Sequence, residues 1–227
     1  MPVSDLVACG FDGSPESRMA CRWAADWCNR LDVNLRLLAV SATVSAAGRD
    51  HGRGRLAQGA GPQAELPAQV EKLQADLAAA HPELTIDTVI LGGQPADQLV
   101  EESRAGALVV IGTRGLNPTL SSPLGSVAAD VVARAPGPVL VVPSTSTVAR
   151  EHVITLGIDT EGPSLNAARF AVEVAERMGA GLRAVACVEA GESPHRAAII
   201  LDDSIAEVAG DHADLPIDQQ VIRGRPH

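Results

Sequence analysis

Val109-Val110-Ile111-Gly112-Thr113-Arg114-Gly115, nine further residues and then Gly125-Ser126 form the stretch that decides the fold. The run from Ala107 to Gly112 is continuously apolar, without the alternation of a strand that has one wet face, so it reads as a buried strand of a parallel sheet. From Ser126 to Ala135 apolar residues recur at helical spacing, and Val139–Val142 is a last strand closed by Pro143. Glycines between a strand and a helix let backbone N–H groups approach an anion with no Cβ in the way, and the positive end of the helix points at it. Ser126 either caps that helix or donates its hydroxyl to a phosphate oxygen. The chain contains no Gly-Lys-Ser/Thr, so this is not a Walker A loop, and it is not GxGxxG. Of the 18 basic residues 17 are arginine and one is lysine, Lys72. A phosphate here is therefore held chiefly by main-chain amides, a nest and not a point charge.

Working outward, Leu6-Val7-Ala8-Cys9-Gly10-Phe11 reads as another buried strand. Ser14 then supplies an N-cap, and Pro15 fits the first helical position, where its missing N–H costs nothing. Ala20, Trp23, Ala24, Trp27, Cys28 and Leu31 follow on one helical face, and a strand spans 35–40. Strand, helix, strand in so short a span is a βαβ unit with parallel strands. Residues 41–63, rich in Gly, Ala, Ser and Arg, read as a loop. A helix at 67–80 with Val70, Leu73 and Leu77 inward, a strand at 85–91 and a short helix after Gln94-Pro95 lead back to the opening stretch. Residues 6–143 thus hold five strands and four helices, a complete α/β domain.

Composition narrows the function. The 227 residues carry a net charge of −10, with a pI near 5.0, which argues against a nucleic-acid phosphate footprint. Aromatics are 2% with no Tyr, so there is no stacking platform for single strands and the core must be aliphatic. No apolar run approaches the ~20 residues of a membrane span, and the N-terminus does not read as a signal peptide. Cys9, Cys21, Cys28 and Cys187 form no CxxC pair and read as reduced thiols of a cytoplasmic protein. None of the six histidines pairs with another residue at metal-ligand spacing, so no protein-built metal site is expected.

Beyond a polar linker at 144–152 the chain repeats itself. A shift of 147 aligns Gly10, Asp12, Ser17, Arg22 and Arg30 with Gly157, Asp159, Ser164, Arg169 and Arg177. A shift of 131 aligns Leu84, Ile86, Asp87, Gly93 and Pro95 with Leu215, Ile217, Asp218, Gly224 and Pro226. The second copy reaches His227, opposite Ala96, without a counterpart of the glycine loop. The expected domains are 1–147, complete, and 148–227, a partial copy lacking the phosphate loop and last strand. Asp159 then has no loop to complete a site, and Val153–Ile158 becomes an edge strand that pairs elsewhere or is loosely ordered.

The glycine pattern between two apolar strands, the opening Gly-Phe-Asp-Gly-Ser and the Arg-Trp-Ala-Ala of the first helix together resemble the nucleotide-binding type of universal stress protein, in a tandem arrangement. The resemblance covers 6–143 and continues through the partial copy. It implies an open five-stranded parallel sheet of order 3-2-1-4-5, Rossmann-like and flanked by helices, with strands 1 and 4 side by side at the switch point where such sheets bind ligands. It also implies residue roles. Gly10 and Asp12 lie against the nucleoside, Val40 lends its backbone to the adenine, and Ile111 packs near base and ribose. Gly112, Gly115, Gly125, Ser126 and Val127 contact ribose and phosphates. Arg114 either reaches a phosphate or faces solvent. Pro123, where a leucine is common, removes one backbone donor from the loop.

The implied ligand is ATP, with or without Mg²⁺, and the implied assembly is a homodimer or a pseudo-dimer of the two copies. The leading expectation is a regulatory nucleotide-dependent switch in a stress response, in which ATP biases conformation without being turned over. A weak ATPase or phosphoryl-transfer enzyme ranks second, because no P-loop lysine, paired carboxylates or general base can be assigned. A dimerising interaction module that has lost nucleotide ranks third.

Overall fold

The computed structural model describes residues 4–41, 65–113, 124–143, 153–159, 165–189, 191–210, 212 and 214–224. The chain divides into two compact units, 4–147 and 148–227 with 1–3. The expected loop at 41–63 and the linker at 144–152 fall outside the described residues, apart from Ser41.

The first unit runs β1 (Leu6–Phe11), α1 (Pro15–Leu31), β2 (Asn34–Ser41), α2 (Leu66–Ala80), β3 (Ile86–Gly92), α3 (Pro95–Arg104), β4 (Leu108–Gly112), α4 (Ser126–Arg134) and β5 (Val139–Val142). The five strands form one parallel sheet in the order β3-β2-β1-β4-β5, as the resemblance implies. Cys9 stands opposite Leu37 on one side and Val110 on the other, so β1 is central. α1 begins as read: the Ser14 hydroxyl accepts the Ser17 N–H at 3.1 Å, with Pro15 in the first turn. It ends at Asp32, whose left-handed backbone (φ 54°) returns an N–H to the Cys28 carbonyl.

Helices α1 and α2 cover one sheet face and α3 and α4 the other. On the latter, Leu38, Val109 and Ile111 pack against Ala96, Leu99, Ala128 and Val131. With so few aromatics the fully buried side chains are aliphatic, Leu35, Leu37, Leu38, Leu73 and Leu108 among the largest. Trp23 and Trp27 meet edge to face on α1 with ring centroids 4.7 Å apart.

The second unit runs β6 (Val153–Ile158), α5 (Leu165–Met178), β7 (Gly181–Val188), α6 (Pro194–Ala209) and β8 (Ile217–Arg223), with a parallel sheet ordered β6-β7-β8. Its core sets Leu156, Ile158, Leu182 and Ala184 against Ala168, Val172, Leu201 and Ile205, so both helices lie on one face. Burial records the difference between the units: β7 alternates strictly between buried and half-buried residues, whereas β2 holds three consecutive buried ones. Among the described residues β6 pairs with β7 alone and is an edge strand, as the repeat predicts. No described helix is long and apolar enough to cross a membrane.

Candidate functional site

The crevice at the switch point is built from the ends of β1 and β4, which lie side by side in register from Val7 with Leu108 to Cys9 with Val110. The chain leaves β1 for α1 on one face of the sheet and leaves β4 for α4 on the other, which opens a cleft beyond the strand ends.

Gly10 and Ile111 form the floor. A Cβ on Gly10 would meet Leu99 Cδ1 of α3 at 3.3 Å and Ile111 Cγ2 at 3.5 Å, and Ile111 itself is buried. The space left by glycine is therefore already taken by Leu99, which brings α3 close onto β1. At the rim, the Asp12 carboxylate accepts the Ser14 N–H at 3.0 Å, and the Asp12 N–H donates to the Ser17 hydroxyl at 3.4 Å. The carboxylate thereby fixes the turn that launches α1. Gly13 between them has φ 88°, a left-handed backbone that the turn asks of glycine, and Gln69 Oε1 of α2 lies 2.5 Å from where its Cβ would be. Val40 is half-buried at the end of β2, opposite Leu91.

The other side of the crevice is the start of α4. The Gly125 N–H donates to the Thr113 carbonyl at 2.7 Å, and the Thr113 N–H donates to the Val142 carbonyl at 3.2 Å. The two bonds pin Gly125, the residue before α4, to the ends of β4 and β5. The first of them occupies the Gly125 amide. Gly125 is the N-cap, with extended backbone (φ −64°, ψ 161°) and no side-chain cap. Its carbonyl takes the Ala129 N–H at 2.9 Å, the first bond of the helix. Of the two roles open to Ser126, capping is therefore not the one adopted. Among the described residues nothing accepts from the N–H groups of Ser126, Val127 and Ala128. These three donors open a nine-residue helix whose positive end lies behind them, and Ser126 and Val127 are exposed.

Arg114, Gly115 and Pro123 lie outside the described residues; Gly112 is half-buried at the end of β4. Sequence reasoning passed over Thr113, Gln69 and Leu99. Thr113 lies inside the quoted motif but works through its backbone, which no side-chain pattern announces. Leu99 and Gln69 act from elements distant in sequence. The thiols beneath the site are not reactive groups. Burial and the Cys21 thiol, 3.2 Å away, push the Cys9 thiol well up, and burial pushes Cys28 up to about 12. The described residues contain no group of three His, Cys, Asp or Glu side chains able to hold a metal ion.

The model of the universal stress protein family matches residues 5–143. The chain belongs to the universal stress protein family. A universal stress protein of Mycobacterium tuberculosis is 32% identical over 191 residues, covering 83% of this chain and 66% of its own length, just under two thirds. The crystal structure of a universal stress protein from Archaeoglobus fulgidus, 17% identical, covers 99% of this chain and 80% of its own, with a TM-score of 0.66. The fold is thus shared across both units. A universal stress protein solved in complex with cAMP is 27% identical and covers 62% of this chain and 97% of its own, with a TM-score of 0.46. In this universal stress protein chain the matched region coincides with the first unit, which holds every candidate site residue.

Proposed function

We propose that the first unit, within 1–147, binds an adenine nucleotide, ATP in the leading case, as a regulatory ligand. The observation that carries this reading is the set of three amides, Ser126, Val127 and Ala128, without acceptors among the described residues at the pinned start of α4. A triphosphate with or without Mg²⁺ fits that donor set, because anions bind at helix N-termini through such amides. The Ser126 hydroxyl adds one further donor. Gly10 and Ile111 would support the nucleoside from below, Asp12 would bound it at the rim, and the Val40 backbone would meet the adenine. Gly112, Gly115 and Gly125 would keep the loop backbone close, and Arg114 would sit between its glycines. The ligand supplies charge and bulk at a crevice joining β1, β4 and α4, enough to bias conformation or partner choice.

Binding without turnover is favoured by the residue inventory. The single lysine, Lys72, is exposed on α2, and Asp12 spends its carboxylate on the α1 turn. The protein would act in the cytoplasm, in a stress response, as a homodimer or a pseudo-dimer of its two units. Protein purified without added nucleotide should release an adenine nucleotide on acid extraction, identified by chromatography. Phosphate release from added ATP should not exceed that of a Gly125→Val variant. Purified chain that carries none, and gives no heat with ATP, ADP or AMP, would refute the proposal.

A further inference from the structure

Of the three buried cysteines in the first unit, two touch. Cys9 Sγ on the central strand β1 stands 3.2 Å from Cys21 Sγ on α1, and both residues are fully buried. The sulfurs of a disulfide lie about 2.05 Å apart, so this pair is roughly 1 Å from bonding distance. Cys28, further along α1, turns its thiol to the Asn34 carbonyl at 3.9 Å. What α1 lays on the sheet also changes along its length. Up to Ala25 its buried residues are Ser17, Ala20, Cys21, Ala24 and Ala25, all small, and Trp27 and Leu31 follow only in the last turns. By contrast, α2 buries Leu66, Val70, Leu73 and Leu77. Stabilisation by burial scales with apolar area, so the first turns of α1 are its lightly held part. They are also the part launched by the Asp12 turn and the Ser14 cap at the rim of the crevice. Both sulfurs lie in the layer between α1 and the sheet, so lifting these turns uncovers the pair while the strands stay joined.

We propose that Cys9 and Cys21 are a redox latch: oxidation by a peroxide joins them in a disulfide that fastens the first turns of α1 to β1. In the seated helix both thiols are shut from water and unreactive, so the latch is set through lifting of those turns. Once wet, one thiol ionises and its sulfur attacks the peroxide. The O–O bond breaks, a sulfenic acid forms, and the hydroxide released takes up the thiol's proton. As the helix reseats, the other sulfur is brought against the sulfenic sulfur and attacks it. The S–S bond forms, and the sulfenic oxygen leaves as water with the second thiol's proton. Two thiols and one peroxide thus give one disulfide and two waters, with two electrons passing from sulfur to oxygen. The reseated helix then shields the bond from thiols in solution. Neither cysteine is among the residues proposed to hold a nucleotide, so the latch works with the crevice filled or empty.

The test treats the full chain with hydrogen peroxide in urea below the unfolding transition, alkylates the remaining thiols in denaturant and maps the tryptic peptides by mass. Cleavage after Arg18, Arg22 and Arg30 puts Cys9, Cys21 and Cys28 on separate peptides, 1–18, 19–22 and 23–30. Peptides 1–18 and 19–22 should appear joined, two hydrogens lighter than their sum, with 23–30 alkylated. The yield should rise with urea, and reductant in denaturant should part the two. Oxidised chain should unfold at a urea midpoint raised by roughly 1 M, read by the emission of Trp23 and Trp27 on α1. Cys28→Ala should keep both the joined peptides and the shift, while Cys9→Ala and Cys21→Ala should each lose both. The wild-type map and midpoint depend on no variant. Cys9 or Cys21 joined to Cys28 or Cys187, the pair left as free thiols or taken to sulfinic acid without a link, or a joined chain with an unchanged midpoint would overturn the proposal.

Discussion

The two units start from the same pattern and finish differently. Both open with a strand, a helix, a strand, a helix and a strand, and both carry an Arg–Asp pair across their second and third strands. The first goes on to α3, β4, α4 and β5, which makes β1 central and covers both faces of the sheet. The second has helices on one face and β6 at an edge. The same residues therefore do different work. Gly10 lets Leu99 close onto the sheet, while no described residue lies within 4 Å of where a Cβ on Gly157 would be. Arg36 bridges a strand and a helix, while Arg183 bridges two strands. What a residue contributes is set by the elements that arrive beside it, and among the described residues the switch point lies where β4 arrives beside β1.

If that contrast is right, paired substitutions should separate the units. Leu38→Ala removes a side chain only 1% exposed and should cost about 3 kcal/mol, whereas Val185→Ala at the equivalent half-buried position should cost under about 1 kcal/mol. Both tryptophans are on α1, so urea unfolding followed by tryptophan emission reads the first unit and circular dichroism reads both. Equal losses at the two positions would erase the distinction. Next in size, Gly10→Val forces a branched side chain into Leu99 and should cost roughly 2 kcal/mol. Gly157→Val meets nothing and should change stability by less than about 0.5 kcal/mol in the same assays.

A smaller gap is expected for the arginines. Arg36→Gln leaves the largely covered Glu102 without its partner and should cost about 1–2 kcal/mol. Arg183→Gln breaks an exposed pair and should cost under about 0.5 kcal/mol by chemical denaturation. The last contrast is in the thiols and leaves stability untouched. Cys187 is half-buried on β7, while Cys9, Cys21 and Cys28 are buried in the first unit. Alkylation followed by mass spectrometry should modify Cys187 first and reach the other three only on unfolding.

Much of this was legible from the residues. The apolar runs at β1, β4 and β5, the Ser14-Pro15 start of α1 and the internal repeat each state a local or periodic rule, and the folded chain keeps them with shifts of a residue or so at the ends of β2, β3, α2 and α4. For the candidate site, the sequence names a location and not a set of contacts. The proposal that an anion meets the start of α4 rests on the glycine spacing. That the Gly125 amide is used by the Thr113 carbonyl, and the space above Gly10 by Leu99, depends on how β4, α3 and β1 come together in three dimensions. Backbone bonds and long-range packing leave no signature in a single sequence.

The central claim is that the amides opening α4 hold the phosphates of an adenine nucleotide. Titration calorimetry of ATP into the chain and into Ser126→Pro tests it most directly. Proline suits the first helical position, and Gly125 before it is already extended, so α4 should form as before. The substitution removes one amide donor and one hydroxyl from the phosphate end. The account predicts one ATP per chain, an affinity about 10- to 100-fold weaker in Ser126→Pro and an unchanged melting temperature without ligand. No binding to the wild-type chain, or equal affinity in both, would contradict it.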